Sequence, residues 1–127
     1  MPASNWHVIV VDDEDDTVQL VTKILRYYGA TVSVAHNGKQ CLKLLEAVHP
    51  TLIMMDLALP VMDGWETLAA IRQDKQNASI PVVAMTAYHS VNLEEDAHEA
   101  GFDAYFSKPL KSYTLVPQLK KVLEPER

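Results

Sequence analysis

Apolar and polar positions along this chain repeat one pattern five times. A short apolar run is followed by a longer stretch in which apolar residues recur every three or four positions. Trp6 to Val11 (WHVIVV) is unbroken and rich in β-branched side chains, as expected of a buried strand. After the acidic run Asp12 to Asp16, Val18, Val21, Ile24, Leu25 and Tyr28 recur at helical spacing, and Gly29 predicts a C-terminal cap. Thr31 to Ala35 (TVSVA) alternates polar and apolar, the pattern of a half-exposed edge strand. Asn37-Gly38 predicts a turn, and Cys41, Leu44, Leu45 and Val48 predict a second amphipathic helix that stops before Pro50.

The middle stretch, Thr51 to Gly64 (TLIMMDLALPVMDG), runs four apolar residues straight into Asp56 and then through a Pro/Gly loop. This pattern predicts a buried parallel strand with Asp56 at its carboxyl end. A helix follows from Gly64 to about Gln73, with Trp65, Leu68 and Ile71 inward, then a polar linker to Ser79. Ile80 to Met85 predicts a fourth strand with Pro81 at its start, where a missing N–H is tolerated. The segment Tyr88 to Ala100 predicts a weaker helix: Leu93, Ala97 and Ala100 bury little, while Glu94, Glu95, Asp96 and Glu99 face water. Gly101 caps it. Ala104 to Ser107 (AYFS) is a short fifth strand leading to Lys108-Pro109. Leu115, Leu119, Val122 and Leu123 mark the last helix, with Pro117 in its first turn and Thr114 as N-cap.

Five β/α alternations with short connections imply an α/β fold, a parallel sheet covered on both faces by right-handed crossovers. The second and fifth strands suit the edges. We expect one domain across residues 1–127, with a core from about residue 6 to 123.

Composition narrows the function. An apolar share of 48% with 22% charged residues suits a soluble globular domain. The net charge of −6 argues against a nucleic-acid or anionic-membrane partner, which would require clustered Lys and Arg. The single Cys41 excludes an internal disulfide and fits a reducing compartment. No signal peptide is visible and no apolar run approaches the ~18 residues needed to span a bilayer, so a cytoplasmic location is expected.

In an open parallel sheet the strand ends at Asp12-Asp13, Asp56, Thr86 and Lys108 open on one edge, where such folds place their chemistry. Three carboxylates against one ammonium leave an excess of negative charge that calls for a cation or a protonated acid. Carboxylate oxygens without His or Cys favour Mg²⁺ or Mn²⁺ over Zn²⁺. With such an ion present, Asp56 can attack phosphorus while Lys108 and Thr86 stabilise the transferring group.

The acidic pair Asp12-Asp13, Asp56, the loop PVMDG at Pro60 to Gly64, Thr86, Tyr105 and Lys108-Pro109 occur in this order and at this spacing. Together they resemble the receiver domain of bacterial two-component response regulators, over essentially the whole length. The resemblance implies a flavodoxin-like (βα)5 doubly wound sheet with strand order 2-1-3-4-5. It implies that Asp56 accepts a phosphoryl group from a phosphohistidine on a histidine kinase or histidine phosphotransfer protein. Mg²⁺ is then expected on Asp13, Asp56 and the backbone carbonyl of Ala58, with Asp12 acting through water. Thr86 and Lys108 are expected to bind phosphoryl oxygens, and Lys108–Pro109 to be cis.

The family also implies a switch through Thr86 and Tyr105. This would reshape the surface of the fourth helix, fifth strand and fifth helix for a downstream protein, and a homodimer on phosphorylation is a further expectation. Ala58 and Tyr88 occupy the positions that tune dephosphorylation. Neither is an acid or amide that orients water, so a slow return is expected. The domain assists only its own phosphorylation and hydrolysis, and turns over no external metabolite.

Other readings compete. The Asp12 to Asp16 run could simply favour a helix N-terminus. An EF-hand is excluded because Thr17 stands where Gly is required and Lys23 where Glu is. A flavodoxin-type carrier needs donors after the first strand, where five acids would repel FMN phosphate. A phosphatase of the haloacid-dehalogenase type needs a second Asp where Ala58 stands. A pseudo-receiver, a binding module that uses no phosphate, is the remaining alternative. His7, His36, His49, His89 and His98 read as scattered surface residues, Cys41 as core, and Trp65 as a packing residue.

Overall fold

Side chains in each central strand alternate between two apolar layers, which is why the strands read as unbroken apolar runs. In a computed structural model describing residues 2–88 and 90–124, these strands are β1 (His7–Val11), β3 (Leu52–Asp56) and β4 (Val82–Thr86). The edges are β2 (Thr31–Ala35) and β5 (Ala104–Ser107). All pairings are parallel, in the order β2-β1-β3-β4-β5. His89 and residues 125–127 lie outside the described residues.

Val8, Val10, Leu52, Met54, Val83 and Met85 face one layer, packed against α1 (Asp15–Tyr27) and α5 (Leu115–Leu123). Ile9, Val11, Ile53, Met55, Val82 and Ala84 face the other. That side is covered by α2 (Gly38–Leu45), α3 (Gly64–Gln73) and α4 (Leu93–Ala100). The fold is the doubly wound, flavodoxin-like (βα)5 arrangement with the expected strand order. No helix among the described residues is long and apolar enough to cross a membrane.

Several boundaries moved, for local reasons. Helix α2 ends at Leu45 rather than near Val48; the Pro50 ring conflicts with a helical carbonyl at Glu46. Helix α4 starts at Leu93, five residues later than expected. The Tyr88 N–H and carbonyl are instead engaged by Thr86 and Tyr105. Of its apolar residues only Ala97 is fully buried, Leu93 is half-buried and Ala100 is exposed. Pro117 is the third residue of α5, and Thr114 sits at its N-cap, where its hydroxyl donates to the Lys111 carbonyl instead of capping.

Three packing details frame the site. Asp63 and Glu66 form a capping box that starts α3 directly after the β3 loop. Trp65 is half-buried and meets Phe102 edge-on, with ring centroids 5.6 Å apart. Among the histidines, His7 is not a bare surface residue: it is half-buried, its ring 2.7 Å from Ser33 Oγ.

Candidate functional site

Because all five strands run the same way, their carboxyl ends share one edge, and the loops there carry the polar residues. Asp12 follows β1 and is fully buried; Asp13 beside it is exposed. Asp56 closes β3 and is 4% exposed. Each of these three offers a carboxylate oxygen, and the three oxygens lie within 4.8 Å of one another. Thr86 closes β4, one residue past Met85, the register partner of Asp56. Lys108 follows β5, and the Lys108–Pro109 bond is cis.

The two oxygens of Asp56 have different partners. Oδ1 accepts from the Ala58 N–H at 3.1 Å, and Oδ2 accepts from Lys108 Nζ at 3.1 Å. The Lys108 ammonium also lies 2.7 Å from Asp12 Oδ2 and 3.0 Å from Glu14 Oε1. The Asp12 contact is an ion pair without the alignment of a hydrogen bond, so this buried oxygen keeps unused accepting capacity. Asp12 Oδ1 accepts from the Glu14 N–H at 2.9 Å.

Burial and the neighbouring Asp12 charge push the Asp56 carboxyl up to about 6, against the opposing Ala58 N–H and Lys108. Burial also disfavours the Lys108 ammonium, but contacts with Asp12, Glu14 and Asp56 outweigh it and hold the group above its ordinary range. The raised Asp56 carboxyl and the spare accepting capacity of the Asp12 oxygen share one cause: too many acids crowd around one cation. A hard divalent ion among Asp12, Asp13 and Asp56 would relieve both, so the residues present fit Mg²⁺ or Mn²⁺.

The Thr86 hydroxyl is buried and accepts from the Tyr88 N–H at 3.0 Å, an acceptor role that does not consume its own proton. Tyr105 is half-buried and its hydroxyl donates to the Tyr88 carbonyl at 3.4 Å. The Tyr88 side chain is 73% exposed. Ala58, expected to offer its carbonyl, touches Asp56 through its N–H. Asp12, Asp56 and Lys108 thus meet directly, Asp13 completes the acidic group, and Thr86 and Tyr105 join through Tyr88.

Glu14 was not singled out from the sequence. Its only signal was its place in an acidic run, where helix N-terminus chemistry explains an acid equally well. In the structure it holds the N-cap position of α1 without a side-chain capping bond, because its carboxylate turns to Lys108.

An α/β sheet with an acid basin, an amine and an alcohol at its carboxyl edge defines a narrow class of domain. The response regulator receiver domain family matches residues 8–120, and the chain belongs to that family, the receivers of two-component signalling. Among curated proteins it is 38% identical over 109 residues to an uncharacterised 14.6 kDa protein of Leptolyngbya boryana, covering 86% of this chain and 83% of that one. It is 30% identical over 116 residues to the polar-differentiation response regulator DivK of Brucella ovis, covering 91% and 94%.

Among solved structures, a response regulator from Chloroflexus aurantiacus superposes with a TM-score of 0.88 at 27% identity, covering 93% of this chain and 97% of that one. The receiver domain of a sensor histidine kinase from Pseudomonas aeruginosa, described with a magnesium ion coordinated in its active-site cleft, gives 0.81 at 27% identity, covering 93% and 97%.

Proposed function

We propose that this receiver accepts a phosphoryl group on Asp56 from a phosphohistidine of a histidine kinase or histidine phosphotransfer protein. One observation carries the reading: a buried carboxylate is held between a backbone N–H and a lysine, inside a group of acids spaced for a divalent ion. In the transfer an Asp56 oxygen forms the O–P bond as the donor P–N bond breaks, and the electron pair stays on the imidazole nitrogen. Lys108 and the Thr86 hydroxyl stabilise the phosphoryl oxygens. Asp13, Asp56 and the Ala58 carbonyl, with Asp12 acting through water, would hold Mg²⁺, which would supply charge neutralisation there. The magnesium described in the Pseudomonas aeruginosa receiver supports this assignment.

The state of Asp56 reaches the surface through Thr86, Tyr88 and Tyr105. The α4/β5/α5 face then presents a changed surface to a downstream protein or a second copy of the chain. Hydrolysis returns the system when a water oxygen attacks phosphorus and releases inorganic phosphate. With Ala58 and Tyr88 offering no acid or amide to orient that water, this step is slow, and Ala58→Asn is expected to speed it.

The decisive experiment is incubation with Mg²⁺ and acetyl phosphate, followed by intact mass. One phosphoryl group adds to the wild type and none to Asp56→Asn. Equal labelling of both would remove Asp56 from its role, and an unlabelled wild type would favour a binding module that uses no phosphate.

A further inference from the structure

Three carboxylate oxygens surround the Lys108 ammonium: Asp12 Oδ2 at 2.7 Å, Glu14 Oε1 at 3.0 Å and Asp56 Oδ2 at 3.1 Å. Two of the ammonium's three donors are hydrogen-bonded to Glu14 and Asp56, and Asp12 Oδ2 lies against it as an ion pair, so an arriving phosphoryl oxygen competes with all three carboxylates for Lys108. The three are not equally replaceable. Asp12 is fully buried and its Oδ2 has no other partner among the described residues, so releasing it strands a charge away from water. Asp56 is buried and is itself the acceptor. The Glu14 side chain is 59% exposed and regains water on release.

We propose that Glu14 is an exchangeable stand-in for a phosphoryl oxygen, a positioning residue that fills Lys108 in the resting protein and yields when an anion enters. The inference rests on the phosphoacceptor reading above and adds a residue to it. The backbone supports the assignment. Glu14 starts α1 yet leaves the helix uncapped, and its own N–H donates to Asp12 Oδ1, which aims the side chain across the basin. Glu14 and Lys108 also line the same depression, about 300 Å³, so an anion seated there meets both side chains. Glu14 therefore sets how strongly the resting site resists small anionic phosphodonors.

The test compares wild type with Glu14→Gln and Glu14→Ala at saturating Mg²⁺, since losing this acid also lowers the attraction for the ion. Asp16→Asn is the control: it removes an exposed acid lining the same depression that does not touch Lys108. Because Glu14 is the exposed member of the pair, both Glu14 variants should lower the half-saturating acetyl phosphate concentration about two- to fivefold, with little change in maximal rate. Half-saturation by beryllofluoride, which reports anion binding without transfer, should fall by the same factor. Asp16→Asn should leave both values in place.

An equal shift in Asp16→Asn would reduce the effect to general surface charge and overturn the proposal, as would unchanged half-saturation in both Glu14 variants. A wild type that takes up neither probe is a different failure, since it would remove the phosphoacceptor reading itself.

Discussion

The hydroxyls of Thr86 and Tyr105 are bound to the two ends of one residue: Thr86 Oγ1 accepts from the Tyr88 N–H, and Tyr105 Oη donates to the Tyr88 carbonyl. Any movement of Thr86 toward Asp56 must therefore pull on the group that anchors Tyr105. The 3.4 Å Tyr105 bond is long, so Tyr105→Phe should cost less than about 1 kcal/mol in urea unfolding. Labelling of Asp56 should be unaffected, while hydrogen exchange between Ala87 and Leu93 should rise. A Tyr105→Phe variant whose labelling slows as much as that of Thr86→Ala would break this division of roles.

The position of the Asp56 carboxyl makes stability depend on pH. A carboxyl held at about 6, above its ordinary 3.8, binds its proton more tightly in the folded chain than in the unfolded one. Its contribution to folding is therefore present below about 3.8 and lost as pH rises toward about 6. Lys108, held above its ordinary range, stays charged throughout that window and adds no slope. In chelated protein, wild type should lose on the order of 2–3 kcal/mol relative to Asp56→Asn between pH 4 and pH 7. Mg²⁺ should raise the melting temperature more at pH 7 than at pH 4. Parallel pH profiles for the two proteins would contradict the assignment.

Val61 holds φ 68 in the loop between β3 and α3, and the Met62 N–H donates to the Pro60 carbonyl at 2.7 Å. This is a γ-turn of positive φ centred on a β-branched residue, one of the more strained turns available. The side chain is 72% exposed, so little packing compensates. Val61→Gly should stabilise the protein by about 1 kcal/mol, after its own entropy cost, read as a higher urea midpoint at constant slope. A lower midpoint would show that the turn carries no strain.

Arg72, at the end of α3, acts as a clamp. Its Nη1 donates to the Ala78 and Ile80 carbonyls, and its Nη2 to the Gly101 carbonyl and Asp103 Oδ2. Asp103 also accepts from the Val82 N–H, so one guanidinium ties together both loops flanking β4 and β5. Arg72→Ala should cost on the order of 2–3 kcal/mol, and Arg72→Lys should recover little, because a lysine cannot reproduce the fork. Full recovery by lysine would make the interaction a simple charge effect.

What could be read before folding follows from periodicity and from strand ends. The apolar runs at Val8–Val11, Leu52–Met55 and Val82–Met85 specify buried parallel strands, because both faces of those strands need apolar side chains. Once the strands are parallel, Asp12, Asp56, Thr86 and Lys108 must share an edge. Gly29 and Gly101, with φ 98 and φ 111, were legible as helix ends for the same local reason. The start of α4 was not legible. Its boundary depends on which groups the Tyr88 peptide meets, and those come from β4 and β5.

The sequence by itself determined the layer order, the two apolar faces and the edge on which the polar residues gather, since these follow from side-chain alternation and chain direction. Only the tertiary structure decided which acids touch which donors. It put Glu14 on Lys108, spread Arg72 over two loops and tied Thr86 to Tyr105 through Tyr88. Glu14–Lys108, Arg72–Gly101 and Tyr105–Tyr88 join residues far apart in the chain at 3.0, 2.9 and 3.4 Å, and no local pattern of hydropathy encodes a distance of that kind.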